Sequence, residues 1–318
     1  MMRTTDTSVK VAVCISTYNG EKYLAEQLDS ILHQEGVDVT LFVRDDGSSD
    51  GTAALLTQYA EQYENVILLD KSRSRNLGVR DSFLRILRYA WKKMGAGWYY
   101  AFSDQDDVWL PEKLKSAIDL LNKKPDKKGR LYFSNKTVVD EDLHVIQEER
   151  IQYTECFESC LFTSYAFGCT MVMDDALAYA VVKHQPKCYC YHDSWTYRLA
   201  KCLGASVLFD ENSYIYYRQH EENVVGIEEE RNLFYYVSRF WQTIWAKREH
   251  LVQRQIYEIS RVFPSEVDSS GNRNVINDVI RYHRHPACML RLIFNRRIMQ
   301  MGMRVWLTWV YRLLLRQV

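Results

Sequence analysis

Apolar positions in the first hundred residues follow two alternating rhythms. Val9–Ser16, Val39–Arg44, Val66–Leu69 and Trp98–Phe102 are short, nearly continuous apolar runs, as buried strands carry. Between them, Leu24, Leu28, Ile31 and Leu32 fall on one helical face within Glu21–Gln34. A polar turn, Asp45 to Gly51, opens a second helix that runs to about Tyr63. Phe83, Leu84, Leu87, Ala90 and Trp91 mark a third. Repeated strand–helix units predict an α/β fold, a Rossmann-like, mainly parallel sheet flanked by helices. Ligands of such sheets bind beyond the carboxyl ends of the strands. Three polar clusters occupy those ends: Thr17-Tyr18-Asn19, Asp45-Asp46, and Asp104 to Asp107.

Beyond residue 130 the rhythm is less regular. Leu131–Ser134, Phe162–Met173 and Tyr214–Tyr217 read as strands; Asp174–Val182 and Ser194–Leu203 read as helices. The acidic run Glu228–Glu230 marks a seam, after which the chain turns helical, aromatic and basic. The expected organisation is a catalytic domain over residues 1–226 and a helical extension over 227–318. In that extension Trp306, Trp309, Val310, Leu313 and Leu314 share a helical face, and Arg304, Thr308, Arg312 and Arg316 follow at four-residue spacing. The run is too short for the ~20 apolar residues of a spanning helix. A helix lying on anionic lipid, a helix packed on the catalytic domain and a dimer contact all remain open.

Composition narrows the picture. Lysine plus arginine equals aspartate plus glutamate, 41 each, so no global charge favours nucleic acid, and none is expected as a partner. The balance hides an asymmetry: from Arg281 to the end there are eight arginines and no Asp, Glu or Lys. Residues 1–10 are polar and the first apolar run, Val11–Ile15, is too short for a secretory leader, so a cytoplasmic protein with reduced thiols is expected. The eight cysteines are scattered; Cys14 and Cys169 fall in expected strands. Cys188-Tyr-Cys190-Tyr-His192 hints at zinc, but the second half of a four-ligand set is missing.

Three carboxylates within four residues, Asp104, Asp106 and Asp107, repel one another where a strand leaves the sheet. A divalent cation on the phosphates of a nucleotide is the simplest neutraliser. An acidic turn at the start of the helix near Glu112 is the plainer reading.

The runs Ile15-Ser16-Thr17-Tyr18-Asn19-Gly20, Val43-Arg44-Asp45-Asp46-Gly47-Ser48-Ser49-Asp50 and Phe102-Ser103-Asp104-Gln105-Asp106-Asp107-Val108-Trp109, in this order and spacing, resemble the inverting family 2 glycosyltransferases of GT-A fold. His192-Asp193-Ser194-Trp195 and the run from Tyr217 to Gly226 resemble its rhamnosyltransferase-like branch. The likeness covers residues 9–226.

The resemblance implies a nucleotide-sugar donor, dTDP-rhamnose or, as runner-up, a UDP-hexose. The acceptor would be a saccharide or lipid-linked saccharide in surface polysaccharide assembly, with the inner face of the plasma membrane as a peripheral location. Ser16, Thr17, Tyr18, Asn19, Asp45 and Asp46 would surround the nucleoside, with Tyr18 stacking on the base. Asp104, Gln105, Arg80 and Arg218 would lie at the diphosphate. Asp104, Asp106 and His220 would hold Mn²⁺ or Mg²⁺. Asp193 would take the acceptor's hydroxyl proton.

Each role has a structural alternative. Thr17 or Asn19 can cap α-helix termini, as can Asp193. Arg80 can be a solvated arginine and His220 a surface-loop residue. Phe167-Gly168-Cys169-Thr170 can line the acceptor side or be a buried strand. The family often shows Glu-Asp or Gln-Asp where this chain has His192-Asp193, so the role of His192 is open. A nucleotidyltransferase would carry a Gly-rich basic loop after the first strand, and Ser16–Glu21 has one glycine and no arginine. A non-catalytic membrane or scaffold module would not need the acids or the candidate base.

Overall fold

The computed structural model describes residues 8–70, 75–188, 190–220, 251–315 and 318. The amino-terminal half is β1 (Val9–Thr17), α1 (Glu21–Leu32), β2 (Val37–Asp45), α2 (Thr52–Gln62), β3 (Val66–Leu68), α3 (Val79–Met94) and β4 (Tyr99–Ser103). Then come β5 (Val108–Trp109), α4 (Lys113–Asn122), β6 (Arg130–Val139), β7 (Val145–Glu148), β8 (Val172–Met173), α5 (Asp175–Lys183), α6 (His192–Leu203) and β9 (Ser206–Arg218). The carboxyl-terminal helices are α7 (Leu251–Val262), α8 (Pro264–Ser269), α9 (Arg273–Arg281), α10 (Pro286–Ile293), α11 (Arg296–Gln300) and α12 (Met303–Leu314).

The sheet runs β3-β2-β1-β4-β8-β6-β9-β5, with β7 paired to β6. β1, β2, β3 and β4 are parallel, as expected from the strand–helix rhythm. β8 is antiparallel to both β4 and β6, so β6 again runs in the direction of β4, and β9 is parallel to β6. This topology decides where the site must be. The carboxyl ends of β1, β2, β4, β6 and β9 all lie on one edge of the sheet, which is where such sheets bind ligands.

Residues alternate between the two faces. Ala12 and Cys14 pack with α3, α5 and α6; Val11, Val13 and Ile15 pack with α1, α2 and α4. The carboxyl-terminal helices bury Ile256, Ile259, Val279, Leu292, Trp309 and Leu313 in the same cluster as α3, α5 and α6. The extension therefore adds no core of its own among the described residues. The expected seam at Glu228–Glu230 lies outside them.

Three expected strands differ. Phe162–Met173 is not one strand: it holds the short 3₁₀ turn Gly168–Thr170, and only Val172–Met173 joins the sheet. A continuous apolar run records burial, and a buried irregular segment is as apolar as a buried strand. Cys169, expected in a strand, sits in that turn. β6 and β9 extend well past Leu131–Ser134 and Tyr214–Tyr217 through polar residues. They do so because the polar groups are satisfied: Asn135 Nδ2 donates to the Glu211 carbonyl at 2.6 Å, and its Oδ1 accepts from Ile151 N–H at 2.9 Å.

Candidate active site

The β1 and β2 exits are stitched together. Thr17 is buried and its hydroxyl donates to Asp45 Oδ1 at 3.2 Å. Asn19 takes φ 48°, a left-handed conformation that Asn tolerates better than most residues. There its Oδ1 accepts from Ser49 N–H at 2.8 Å, and its own N–H donates to Ser48 Oγ at 2.9 Å. Asp45 in turn accepts from Ser48 N–H at 3.0 Å. Thr17, Asn19 and Asp45 thus build the rim, and Tyr18 stands out of it with its side chain exposed.

Gln105, expected at the diphosphate, is engaged by the backbone of the β1 exit. Its amide clasps the backbone of Tyr18 from both sides, accepting from Tyr18 N–H at 2.8 Å and donating to Tyr18 C=O at 3.1 Å. A Cβ at Gly20 would come within 2.5 Å of Gln105 Oε1, so the glycine lets this clasp close. The β1 exit and the acidic loop are thereby held as one unit.

Asp46 is buried and engaged. It pairs with the buried Arg44 guanidinium and accepts from Leu77 and Gly78 N–H, both at 2.8 Å. Ser16 Oγ donates to Ser82 Oγ at 2.6 Å, joining the end of β1 to α3. Arg80 is paired to Asp81 at 2.7 Å and donates to the Cys188 carbonyl at 3.0 Å. The structure thus places Asp46 and Arg80 as links between loops.

At the acidic loop the charges converge. The Asp104 carboxyl is pushed up to about 7 by burial, then by the neighbouring charges of Asp106 and Asp193. Asp193 comes from a distant part of the chain, in the first turn of α6. It is not that helix's cap, because Tyr191 holds the cap position. Asp106 Oδ2 meets His220 Nε2 at 2.8 Å. Asp107 is fully buried; its Oδ1 accepts from Arg218 N–H at 3.3 Å, and its Oδ2 has no partner among the described residues. Burial, Asp106 and Asp104 hold its carboxyl well above the usual range.

Arg218 acts on this loop from behind. Its Nε donates to the Asp106 carbonyl at 3.0 Å, its other nitrogens reach the Glu141 carbonyl and the Glu26 carboxylate, and it lies over the Tyr23 ring at 4.6 Å. It fixes the backbone that carries Asp106. Residues 221–226, the remainder of the run that resembles the rhamnosyltransferase-like branch, fall outside the described residues. The open cleft, about 700 Å³, is bordered by Asn19, Gly20, Ser49, Gln105, Asp106 and His220.

One candidate ligand set for a cation lies here among the described residues. Ligand atoms of Asp104, Asp107 and Cys169 lie within 4.8 Å of one another. The Cys169 thiol is pushed well above its ordinary range by burial and by Asp107 and Asp104, so it stays protonated, and a hard cation prefers oxygen. Asp106 and His220 meet each other at 2.8 Å, and Asp104 gathers with Asp107 and Cys169 rather than with that pair. The three expected ligands Asp104, Asp106 and His220 thus share one loop region without forming a group of that tightness among the described residues. The Cys188–His192 segment gathers no such set: the cluster at Asp104 is the one present among the described residues.

Two lysines that the sequence pattern did not single out lie behind the acids. Lys113 is fully buried, its Nζ 3.7 Å from the Trp109 ring centre, and burial brings it down to about 8. Lys136 Nζ sits between the rings of Phe167 and Tyr217, at 3.6 and 3.9 Å. Trp109 lies in β5 and Lys113 opens α4, so no helical spacing announces the first contact; a lysine inside a strand gives no hint of the second.

His192 is buried between aromatic rings, stacked on Phe83 at 4.0 Å and edge-on to Phe102 at 4.7 Å. A Cβ on Gly168 would come within 2.6 Å of its Nε2. Neither ring nitrogen has a partner among the described residues, and burial lowers its pKa to about 4, so the ring is neutral. It fills the space between the strand carrying the acids and the helix carrying Asp193.

Comparison with known proteins gives the chain its family and its fold relatives. A dTDP-rhamnosyl transferase of Shigella flexneri is 30% identical over 227 residues, covering 67% of this chain and 73% of its own. A UDP-Glc:alpha-D-GlcNAc-diphosphoundecaprenol beta-1,3-glucosyltransferase of Escherichia coli is 24% identical over 171 residues, 52% of this chain and 61% of its own. In fold, the chain is similar to S. aureus TarS 1-349 solved with UDP-GlcNAc, with TM-score 0.55 at 16% identity over 96% of this chain and 80% of that one. Residues 12–176 match the family described as Glycosyl transferase family 2, and with it the chain belongs to that family: it is a glycosyltransferase of GT-A fold.

Proposed function

We propose that the chain is a metal-dependent inverting glycosyltransferase that moves rhamnose from dTDP-rhamnose to a hydroxyl of a saccharide or lipid-linked saccharide. The observation that carries the reading is the convergence on Asp104: its carboxyl senses Asp106 on its own loop and Asp193 from α6. One acid group faces the donor diphosphate and another approaches from a separate element. In-line displacement at the anomeric carbon needs that arrangement.

Asp104, Asp106 and His220 would hold the divalent cation, which when bound would neutralise charge on the departing diphosphate. Tyr18 offers its exposed ring to the base, and Asn19 and Asp45 shape the rim beside it. Asp193 accepts the acceptor hydroxyl proton as the oxygen attacks the anomeric carbon. The glycosidic bond forms as the sugar–phosphate bond breaks on the opposite face, inverting the configuration. Arg218 holds the Asp106 backbone, and Asp46 with Arg44 anchors the loop at Leu77–Gly78.

The donor assignment leans on the rhamnosyl transferase relative. A UDP-hexose is the second reading, favoured by the UDP-glucose-using relative. The polyprenyl acceptor in that relative's name makes a lipid-linked acceptor for this chain part of the proposal, in surface polysaccharide assembly. A peripheral position on a cytoplasmic membrane face goes with it. No helix among the described residues is long and apolar enough to cross a membrane. Contact would instead run through the basic carboxyl-terminal helices. The deciding experiment is a nucleotide-sugar panel scored for Mn²⁺-dependent binding and hydrolysis. dTDP-rhamnose should lead; indifference to every nucleotide sugar would end the reading.

A further inference from the structure

A second cavity, about 530 Å³, lies between α7 and the segment leading into α6, and shares no lining residue with the nucleotide cleft. Its walls combine the cations Lys187, Arg254 and Arg261 with the apolar surfaces of Tyr257 and Val262. Its one acid, Glu258, is turned to other work. It accepts from His184 Nε2 at 2.5 Å, from Lys187 N–H at 2.7 Å and from Cys188 N–H at 3.3 Å. Among the described residues, Lys187 and Arg261 face no carboxylate partner; Arg261 lies 5.8 Å from the Tyr257 ring centre. Unpaired cations beside an apolar wall, in a concavity of ordinary ligand size, match an anion that carries an apolar body.

The position brings this cavity against α6 and the start of α3. Its wall, residues 184–188, is the stretch of chain just before the helix bearing Asp193. The His184 ring lies 6.1 Å from Trp195, two residues beyond Asp193 on α6. From the other side, Arg80 holds the Cys188 carbonyl at 3.0 Å and Gln185 reaches Asp81 at 3.4 Å. The same wall is thus braced against the start of α3, whose Ser82 contacts Ser16 at the end of β1.

We infer that this cavity is an acceptor subsite that recognises a phosphate or diphosphate ester with an apolar body, held by Lys187 and Arg261 and packed on Tyr257 and Val262. The inference rests on the proposed transfer to a hydroxyl activated by Asp193, and deepens it by naming the anionic group of the acceptor.

The test uses the full chain with Mn²⁺ and saturating UDP or dTDP, so that the nucleotide cleft is filled. Binding of farnesyl diphosphate, inorganic pyrophosphate and phosphatidylglycerol vesicles is measured by calorimetry on wild type and on the Lys187→Gln/Arg261→Gln double variant. Farnesyl diphosphate should bind wild type at least tenfold more tightly than pyrophosphate and lose tenfold or more in the double variant. Tyr257→Ala should erase the advantage of the prenyl chain. Nucleotide-sugar hydrolysis should be the same in wild type and all variants. Absent binding, binding untouched by the substitutions, no preference for the prenyl ester, or binding to vesicles but not to the soluble ester would each overturn the inference. Loss of nucleotide-sugar hydrolysis in wild type would instead count against the glycosyltransferase reading, so the two failures are told apart.

Discussion

At the scale of single residues, the two neighbours His192 and Asp193 divide the work at the start of α6. Asp193 is the only group near Asp104 that comes from outside the acidic loop among those raising its pKa. On the proposed mechanism, the Asp193→Asn variant keeps shape and loses the proton acceptor. Donor binding should stay within a few-fold of wild type while the rate of transfer falls by about 10²–10⁴; undiminished transfer would remove Asp193 from the base position. His192 is its spacer. The groups around its ring are Phe83, Phe102 and Gly168, with Asp193 the one charge that favours protonation, and burial outweighs it. The ring is thus neutral in the fold at a pH where the unfolded chain protonates it. The sign follows: this contribution to stability is complete above about 6.5 and is lost as pH falls toward about 4. Its full size is about 3 kcal/mol. Asp104, held up to about 7, works the other way, favouring the folded state at low pH and losing that advantage as pH rises through 7. His192→Leu isolates the first effect: melting curves from pH 7 to 4 should lose less stability in the variant than in wild type. Equal slopes would mean that the imidazole is not buried neutral.

At the scale of elements, the site is a set of strand exits fastened to one another, and the fasteners are what a sequence hides. The strand ends themselves were legible, because buried parallel strands are apolar and their exits are abruptly polar at Thr17, Asp45 and Asp104. The acids could be named from charge crowding alone. The partners could not. Gln105 enters the reading only through the resemblance, and its amide is held by the Tyr18 backbone at 2.8 and 3.1 Å. Arg218 braces the Asp106 carbonyl, a contact its sequence neighbourhood does not announce. Pairings across 87 and 112 positions of chain leave no local periodicity to read. The segment before β8 differs from the expected strand for a related reason: an apolar run reports that a segment is buried and says nothing about whether its hydrogen bonds go to a ladder or to a turn. The Gln105 clasp carries its own prediction. Gln105→Ala leaves two Tyr18 backbone groups without their partner and frees the β1 exit from the acidic loop. The donor KM should rise about tenfold, with a stability loss of about 1–2 kcal/mol. A variant with wild-type KM and lowered kcat would place Gln105 in the chemistry instead.

At the scale of the whole molecule, zero net charge conceals a polar division of labour: acids gather at the sheet edge, and arginines gather in the last helices. The apolar face read from sequence on the last helix is mostly spent inside. Trp309 and Leu313 are buried, and the indoles of Trp306 and Trp309 donate to the carbonyls of Ile293 and Leu292 at 2.8 and 3.0 Å. What α12 leaves outward is a second stripe, Met303, Leu307 and Leu314, at 68%, 54% and 60% exposure. At 100° per residue these three fall within about 40° of one another, and Arg304 borders them. Exposed Phe294 and Leu290 lie on and just after α10, against which α12 packs. An apolar stripe edged by arginine, with no acid nearby in sequence, is what an interfacial helix offers to anionic lipid. The energetics set the kind of binding to expect. Partial burial of three such side chains gives about 3–5 kcal/mol, and each arginine near an anionic surface adds about 1 kcal/mol. The sum is reversible attachment, sensitive to salt. Full-length protein should co-sediment with phosphatidylglycerol vesicles at low salt, bind weakly to phosphatidylcholine, and release as ionic strength rises through a few hundred millimolar. Met303→Glu/Leu307→Glu should cost at least tenfold in vesicle binding while hydrolysis of the nucleotide sugar in solution is unchanged, because that stripe lies outside the cleft. If the double variant instead converts a dimer to a monomer and leaves vesicle binding intact, the stripe is a contact between copies, and the attachment of this enzyme to its acceptor must be sought elsewhere on the surface.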